Sequence, residues 1–281
     1  MKDSYSREIN YLRISLTDKC NLRCVYCMDE EKRFEEEYVN EVLNVDDFKF
    51  LIKNMAELGI KKIKFTGGEP LLYPHLCELI HYAKYECNIQ EISITTNGQH
   101  FCEKALDLKN AGLDRVNLKI DSLREFRYKA VTRGGSLGEV LNALNTCIRL
   151  KMQVRINCVV IDDFKQISKN FNIDVRFIEL TPYGLEKNLY ESSYVNVKNM
   201  VEQMGEIEHI EYDYNSPARY YVFKNTKGRI GIIAPISNCF CNDCNKITLT
   251  SDGCIKLCIY DENKFDVKQY MHKPILFKEI T

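Results

Sequence analysis

The chain has 281 residues, 45% of them hydrophobic and 28% charged, and its formal net charge is −1. This length and composition predict a folded protein of one large domain, or of one large and one small domain, and exclude wholesale disorder. The balanced charge gives no indication of nucleic-acid or membrane binding. Because the N-terminus has no apolar signal segment and no apolar run could span a bilayer, we expect a cytoplasmic protein without a membrane partner.

Strand-like and helix-like segments alternate along the first two thirds of the chain. The predicted strands are Tyr11–Leu16, Lys62–Thr66, Glu91–Thr96, Arg115–Ile120, Gln153–Ile161 and Val175–Thr181. Apolar residues at three- and four-residue steps predict helices over Val45–Leu58, which Gly59 ends, and over Ser136–Leu150. Asn44 or Asp46 is expected to cap the first of these helices.

Repeated strand–helix units predict parallel strands, and six units are too few for a closed eight-stranded barrel. We therefore predict an α/β fold, a partial (β/α)6 TIM-type barrel over residues 1–182, with its chemistry at the carboxyl ends of the strands. After Pro182 two hairpins are predicted, one joining Tyr220–Phe223 to Ile230–Ile233 and one joining Lys246–Thr250 to Cys254–Ile259. Residues 183–281 are thus predicted to form a small β-rich module.

The chain has thirteen cysteines, an odd number that suits metal binding in a reducing cytosol better than a disulfide framework. Five of them are scattered through periodic segments, and we expect these to be small buried hydrophobic residues: Cys77, Cys87, Cys102, Cys147 and Cys158. The other eight lie in two clusters near the ends of the chain.

The first cluster follows the first predicted strand. Cys20, Cys24 and Cys27 have the spacing C-x3-C-x2-C, so three thiolates can bind three irons of a [4Fe–4S] cube and leave the fourth iron open. Structural zinc prefers four ligands, and no fourth Cys or His lies close by. After the second strand comes the run Thr66–Pro70 (TGGEP), whose glycines let the backbone approach a ligand closely. An ordinary strand-to-helix turn is the alternative reading of that run.

The second cluster lies in the second predicted hairpin. Cys241 and Cys244 are separated by two residues, and Cys258 returns on the far strand, so the three can converge on a second cube. Either Cys239 or Cys254 is close enough in sequence to be a fourth ligand, and spacing alone leaves a zinc ribbon as a competitor.

These motifs carry a resemblance. The run from Arg13 to Met28 resembles the signature of the radical S-adenosylmethionine (SAM) superfamily, and the Gly-Gly-Glu-Pro turn resembles its second motif. The similarity to the MoaA family of GTP 3′,8-cyclases runs along most of the chain and includes Ile92–Gly98, Arg115–Leu123, Thr132–Val140, Val154–Ile161, Val175–Leu180, Pro217–Tyr221, Gly231–Ser237 and the second cysteine cluster.

The resemblance implies a radical SAM lyase of molybdenum-cofactor biosynthesis with two [4Fe–4S] clusters and SAM as cofactors. In that family a 5′-deoxyadenosyl radical removes hydrogen from ribose C3′ of GTP, and C3′ then bonds to guanine C8. The resemblance also implies a reductant such as flavodoxin or ferredoxin and a downstream pterin-forming enzyme. It is compatible with a homodimer.

Position by position, the resemblance assigns roles to individual residues. The metal ligands would be Cys20, Cys24, Cys27, Cys241, Cys244 and Cys258. SAM contacts would come from Tyr26, Gly67, Gly68, Glu69, Lys119 and Thr181. GTP contacts would come from Arg13, Lys62, Lys64, Thr95, Arg155, Lys246 and Thr248. Arg176 and Lys246 would act in catalysis. Cations that alternate along strands suit a triphosphate, which needs several donors.

Some positions depart from the family pattern. Lys246 and Thr248 stand where the family has arginines, and Lys119 and Thr181 replace a serine and a methionine. The segment 162–173 is short, and the family's tail with two terminal glycines is missing at Ile280–Thr281. These changes keep open a related enzyme acting on another nucleotide or nucleoside, or on a peptide. A zinc-binding or iron–sulfur sensor without enzymatic activity is the alternative from another class.

Overall fold

The computed structural model describes residues 1–3, 7–27, 43–159, 172–182, 190–191, 193–212 and 217–271. The predicted strand residues 160–161, most of the short segment 162–173 and the chain's last residues, 272–281, lie outside these ranges.

Ten of the twelve strands in the described residues lie where strands were predicted, whereas Ile207–Tyr212 and Phe265–Asp266 were not predicted. The twelve strands are β1 (Tyr11–Ser15), β2 (Lys62–Thr66), β3 (Glu91–Thr96), β4 (Arg115–Lys119), β5 (Gln153–Val159), β6 (Asp174–Ile178), β7 (Ile207–Tyr212), β8 (Arg219–Phe223), β9 (Ile230–Ile233), β10 (Lys246–Leu249), β11 (Cys254–Lys256) and β12 (Phe265–Asp266). Both predicted hairpins are confirmed, since β8 pairs with β9 and β10 with β11 in antiparallel register.

The helices are α1 (Val45–Glu57), α2 (Leu76–His81), α3 (Phe101–Asn110), α4 (Glu125–Thr132), α5 (Leu137–Arg149) and α6 (Val197–Glu202). Asn44, not Asp46, caps α1, because its side chain accepts the backbone N–H groups of Asp46 and Asp47. Gly59 follows this helix with a positive φ of 100°, as expected for a helix end. None of the described helices is long and apolar enough to cross a membrane.

One sheet joins all these strands in the order β12-β11-β10-β1-β2-β3-β4-β5-β6-β9-β8-β7. The eight strands from β10 to β9 run parallel. The predicted partial barrel is therefore confirmed. Strands from the C-terminal segment extend it at both edges, β10 beside β1 and β9 beside β6. The division of the chain at residue 182 stays a prediction.

The two faces of the parallel strands have opposite character. The outward face is apolar and packs against the helices, with Leu12, Ile14, Ile63, Phe65, Ile92, Ile94, Val116 and Leu118 in one buried core. Because side chains alternate along a strand, the intervening residues face the barrel interior. That interior is lined mostly by polar and charged side chains, so it is the part of the fold suited to a polar ligand.

All five scattered cysteines were expected to be buried, but three of them are not fully buried. Cys147 and Cys158 are buried, Cys77 and Cys87 are half-buried, and Cys102 is exposed. The expectation is wrong for Cys102 because it lies in the first turn of α3 at the surface, with its sulfur 3.5 Å from the Thr146 hydroxyl.

Glu179 connects the end of β6 to the loop that leads to the second cysteine cluster. Its buried carboxylate accepts the backbone N–H groups of Ile236 at 2.9 Å and Ser237 at 3.1 Å, and the Tyr194 hydroxyl at 2.8 Å. Burial by itself would raise the pKa of Glu179, but the hydrogen bonds from Ser237 and Ile236 outweigh it and hold the pKa below its usual value.

This hydrogen-bonded carboxylate should make stability depend on pH. Its pKa is lower in the folded chain than the unfolded value of about 4.3, so it stabilises the fold above that pH, and the contribution is lost as pH falls through the folded value. We expect Glu179→Gln to lower the free energy of unfolding by about 1–3 kcal/mol at neutral pH, and by less near pH 3. Urea unfolding measured at both pH values tests this. Glu208→Gln, at an exposed position of β7, is the matched control. A deficit of equal size at both pH values would contradict the prediction.

Candidate active site in the barrel interior

The first cysteine cluster lies on the loop after β1, against the turn that follows β2. Gly68 N–H donates to the Thr17 carbonyl at 2.6 Å, and Glu69 N–H donates to the Lys19 carbonyl at 2.8 Å. These two bonds fix the chain just before Cys20. The two predicted motifs are therefore in direct backbone contact.

The other side of the cysteine loop is attached to α4. Arg23 N–H donates to the Thr132 carbonyl at 3.1 Å, and Val25 N–H donates to the Val131 carbonyl at 3.0 Å. The Arg23 guanidinium also donates back to the Cys20 carbonyl. The loop is thus held from both sides, which positions Cys20, Cys24 and Cys27 at the carboxyl ends of the strands.

The three thiols suit a metal cluster in their chemistry. Burial raises the pKa of Cys20 and Cys27, and raises that of Cys24 to about 11. A bound metal deprotonates such thiols. Within the described ranges, no three Cys, His, Asp or Glu side chains converge closely enough to hold one metal ion. In a cube each thiolate binds its own iron, so cluster ligands lie farther apart than the ligands of a single ion.

Gly67 and Gly68 pack so closely against the backbone of Thr17 and Lys19 that a side chain at either position would clash. A Cβ on Gly68 would lie 2.3 Å from the Lys19 carbonyl oxygen, and one on Gly67 would lie 2.4 Å from that of Thr17. Gly67 also has a φ of 147°, a conformation that favours glycine. The next residue, Glu69, is buried, and its carboxylate accepts from Leu71 N–H, Thr96 Oγ1 and Asn97 N–H. Glu69 therefore joins the turn after β2 to the turn after β3. Its contact with SAM stays a prediction.

Lys119, Asp121 and Tyr26 form a compact group beside the cysteine loop. Asp121 is fully buried; it pairs with Lys119, accepts the Tyr26 hydroxyl at 2.5 Å and accepts Val159 N–H at 3.0 Å. The Lys119 ammonium lies 4.3 Å from the centroid of the Tyr26 ring. Burial, together with the Asp121 charge, raises the pKa of Tyr26 well above its usual value. Tyr26 directly precedes Cys27, so this group sets the position of the third cysteine.

The predicted GTP-binding cations face the same interior. Arg13 pairs in register with Lys64, and Tyr11 pairs with both Lys62 and Lys246. The ammonium groups of Lys64 and Lys246 lie 5.8 Å and 5.4 Å from the centroid of the Tyr11 ring. Burial, then the nearby charges of Arg13, Arg176, Arg115 and Lys246, hold the pKa of Lys64 well below its usual value. The structure thus brings these cations together, and an anion placed among them would relieve their repulsion.

Arg176 is buried on β6 with two amide partners. Its guanidinium donates to Asn157 Oδ1 at 2.9 Å and to Asn117 Oδ1 at 2.6 Å. Gly231 on the neighbouring strand makes room for it, since a Cβ there would lie 2.9 Å from Arg176 Cγ. Both acceptors are neutral amide oxygens, so among the described residues no carboxylate is hydrogen-bonded to the Arg176 guanidinium.

The remaining predicted contacts occupy the same strands. Thr95 is a half-buried residue on β3, and Thr248 is a buried residue on β10. Arg155 on β5 lies 3.5 Å from Asp174. Thr181 follows β6 and is half-buried. These positions are compatible with the predicted roles but do not decide them.

The second cysteine cluster surrounds a short 3-10 turn, Cys241–Asp243. Cys239, Cys241 and Cys258 are exposed and Cys244 is half-buried, whereas Cys254 is buried in β11 with its sulfur 3.7 Å from an Asp252 oxygen. The Cys241 N–H and thiol donate to Cys239 and lower its pKa, and this contact raises the pKa of Cys241 to about 11. Of the two candidate fourth ligands, Cys239 is therefore the one in contact with the predicted set.

Several interior residues were missed in the sequence. None of Asp121, Asn117, Asn157, Ser93 and Arg115 was singled out as a site residue. For the four that lie on strands the available signal was alternation, since each is a polar residue at an inward position of a strand whose outward positions are apolar.

Comparisons with known proteins agree with this geometry. The family described as Radical SAM superfamily matches residues 14–166, and the family described as Molybdenum Cofactor Synthesis C matches residues 173–280. A GTP 3′,8-cyclase of Clostridium botulinum (strain Okra / Type B1) is 40% identical over 280 residues, which cover 96% of this chain and 88% of that protein. One from Alkaliphilus oremlandii is 42% identical over 276 residues, which cover 95% of this chain and 86% of that protein.

The chain belongs to the MoaA-like radical SAM enzymes. Enzymes of this superfamily use SAM and an iron–sulfur cluster as cofactors. The loop with three thiols and the adjacent glycine turn fit both groups. Solved structures show the same fold: SuiB of Streptococcus suis bound to S-adenosylmethionine has a TM-score of 0.64 at 16% identity, covering 96% of this chain and 66% of that one. Native anSMEcpe with AdoMet and a peptide has a TM-score of 0.60 at 18% identity, covering 96% of this chain and 80% of that one.

The glycine turn of this radical SAM enzyme makes a direct prediction. Gly68→Ala places a Cβ against backbone atoms of Lys19, so the cysteine loop must move. We expect the variant to lose at least about tenfold in SAM affinity while the barrel stays folded. Anaerobic titration of the iron-loaded protein with SAM, alongside circular dichroism, measures both.

Gly138→Ala is the matched control for that experiment. Gly138 lies in α5, and an added Cβ would approach only Ser136 Oγ at 3.6 Å. Alanine should keep SAM affinity and add up to about 1 kcal/mol of stability. Equal SAM affinity in the Gly68 and Gly138 variants would show that the close approach at Gly68 is not needed.

Proposed function

We propose that this enzyme is a GTP 3′,8-cyclase of molybdenum-cofactor biosynthesis. The observation that carries the proposal is a set of inward-facing cations in the same interior as the cysteine loop, with Arg13 and Lys64 paired on β1 and β2 and Arg176 on β6. The similarity to curated GTP 3′,8-cyclases over nearly the whole chain supports the same substrate. When bound, SAM and its iron–sulfur cluster supply the 5′-deoxyadenosyl radical that takes the ribose C3′ hydrogen.

The side chains of the chain itself have three tasks in this proposal. Lys64 and Arg13 neutralise phosphate charge, because an anion bound between them relieves their mutual repulsion and keeps Lys64 protonated. Arg176, held by two amides, presents a fixed cation from the opposite side of the interior, and we propose it with Lys246 as the residues that position the reacting nucleotide. Thr95, Lys62, Arg155 and Thr248 complete the proposed nucleotide contacts.

The proposed SAM contacts are Tyr26, Gly67, Gly68, Glu69, Lys119 and Thr181. Among these, Lys119 offers a cation to the SAM carboxylate, and the glycines offer backbone groups that no side chain obstructs. Lys119 also forms an ion pair with Asp121, so it reaches the cofactor from a fixed position.

We further propose that the enzyme carries two [4Fe–4S] clusters. Cys20, Cys24 and Cys27 would hold the first, and Cys241, Cys244 and Cys258 the second. The contact of Cys239 with Cys241 makes Cys239 the candidate for a fourth ligand of the second cluster. A low-potential reductant such as flavodoxin or ferredoxin, a downstream pterin-forming enzyme, a cytoplasmic location, a homodimer and a module boundary at residue 182 belong to the same proposal.

A related enzyme acting on another nucleotide is the second candidate. It is favoured by Lys246 and Thr248, because lysine lacks the bidentate geometry of arginine and threonine lacks the charge. In the structure the Lys246 ammonium is 3.1 Å from Asn245 Oδ1, and Thr248 is buried. This end of the interior therefore offers fewer donors to a guanine edge than two arginines would.

The two-cluster proposal predicts the iron content of two variants. Reconstituted wild-type protein should bind about eight irons per chain, as two cubes require. The triple variants Cys20→Ala/Cys24→Ala/Cys27→Ala and Cys241→Ala/Cys244→Ala/Cys258→Ala should each bind about half of that, with only the first losing SAM cleavage. Iron assay and electron paramagnetic resonance of the reduced proteins measure this. Four irons in the wild type, or zinc in the second site, would refute the second cluster.

The substrate proposal is tested by anaerobic turnover. Dithionite-reduced enzyme is incubated with SAM and GTP, or with ATP, CTP or no nucleotide, and 5′-deoxyadenosine and nucleotide products are followed by mass spectrometry. GTP-dependent deoxyadenosine together with an isomer of GTP is the expected result. Arg176→Met should lower kcat/KM for GTP at least about 100-fold, since a buried charged donor is lost, without changing SAM cleavage in the absence of nucleotide.

Other outcomes separate the alternatives. Deoxyadenosine that rises with a nucleotide other than GTP would establish the second candidate. Cleavage of SAM at one slow rate with every nucleotide would remove nucleotides as substrates. An absence of cleavage in protein with full iron content would contradict the assignment of the cysteine loop as the SAM site.

A further inference from the structure

Buried polar atoms without hydrogen-bond partners are rare in native proteins, and each calls for an explanation. Among the described residues four side-chain atoms are of this kind: Ser93 Oγ, Arg115 Nε, Tyr128 OH and Tyr220 OH. Two of them, on Ser93 and Arg115, are neighbours in the sheet, since these residues are directly paired between β3 and β4. Two unsatisfied donors on paired residues project from the same face of the sheet, so one ligand can accept from both.

The register places both residues in the row of the predicted phosphate-binding cations. Ser93 is paired with Lys64 of β2, and Lys64 is paired with Arg13 of β1. Paired residues on adjacent strands project from the same face of a sheet. Arg13, Lys64, Ser93 and Arg115 therefore form one row of side chains across four strands on the inner face.

Charge in this row favours an anion. Arg115 is paired through Nη2 with Glu91, and Glu91 also lies 3.4 Å from Lys62, so one carboxylate is shared by two cations. The pairing with Glu91 fixes the Arg115 guanidinium while its Nε–H has no acceptor among the described residues. Ser93 is only 1% exposed, so its hydroxyl has little access to bulk water.

We propose that Ser93 Oγ and Arg115 Nε donate hydrogen bonds to phosphate oxygens of the nucleotide, in the same row as Arg13 and Lys64. This inference rests on the proposed nucleotide substrate and adds two residues to its binding site. Phosphate oxygens accept several hydrogen bonds at once and carry the charge that this row lacks. The unsatisfied donors are then explained as groups paired only when the substrate is bound.

The clean test is Ser93→Ala, because it removes an unpaired hydroxyl rather than an existing bond. In the absence of nucleotide the variant should be at least as thermostable as the wild type. Its affinity for GTP should nevertheless fall about tenfold, the loss expected for one hydrogen bond to a charged acceptor. Arg115→Lys keeps the charge beside Glu91 but lacks Nε, and it should also weaken GTP binding about tenfold.

Tyr128→Phe is the matched control. Tyr128 also carries a fully buried hydroxyl without a partner, but on α4, outside the row. Its variant should show the same unchanged or higher thermostability and bind GTP like the wild type. Affinities are measured by anaerobic calorimetry on iron-loaded protein, with GTP and with inorganic triphosphate as the two probes.

Parallel losses of affinity for GTP and for inorganic triphosphate in the Ser93 variant would support a phosphate contact. Unchanged affinity for both probes, or a loss for GTP alone, would overturn it, as would a less stable nucleotide-free Ser93 variant. The proposed function fails separately: wild-type protein that binds inorganic triphosphate but not GTP would remove GTP as substrate and still support the row. Wild-type protein that binds neither would overturn both.

Discussion

The alternation of side chains across eight parallel strands is the constraint on which the rest of this structure depends. Strands of a parallel sheet covered on both faces are usually apolar on both sides. Here only the outward side is apolar and packs on helices, while the inward side carries arginines, lysines and asparagines. A sheet with a charged inner face cannot be filled as an ordinary core, because unpaired buried charges are costly. Its interior is therefore built to be completed by a polar ligand.

The compact group of Lys119, Asp121 and Tyr26 connects this interior to the cysteine loop. Asp121 is fully buried, so its charge needs partners, and it takes them from β4, from β5 and from the residue before Cys27. The same carboxylate thus joins the barrel wall to the loop that carries Cys20, Cys24 and Cys27. A substitution of Lys119 or Asp121 should therefore change the position of Tyr26 and of the adjacent Cys27.

Much of the fold could be predicted from the sequence because its signals are local. Period-two segments marked the barrel strands to within a few residues, and Asn44 and Gly59 marked the ends of α1. The cysteine spacing and the glycine turn are local signals too, and the structure brings the two motifs into backbone contact. The pairing of β10 with β1 and of β9 with β6 joins segments that are distant in sequence, so no local pattern predicts it. The row through Ser93 and Arg115 depends on the register between strands, which becomes visible only when the strands are aligned.

The placement of C-terminal strands at both edges of the barrel has a consequence for how the protein is made. On the ribosome, β1 and β6 emerge long before Lys246–Leu249 and Ile230–Ile233, the strands that cover them. Until then the nascent barrel has two open edges with unpaired backbone groups, which are templates for association with other chains. Addition of these two strands, rather than folding of the first half alone, closes both edges of the parallel sheet. A chain truncated before Ile230 would leave β1 and β6 open to pairing with other chains.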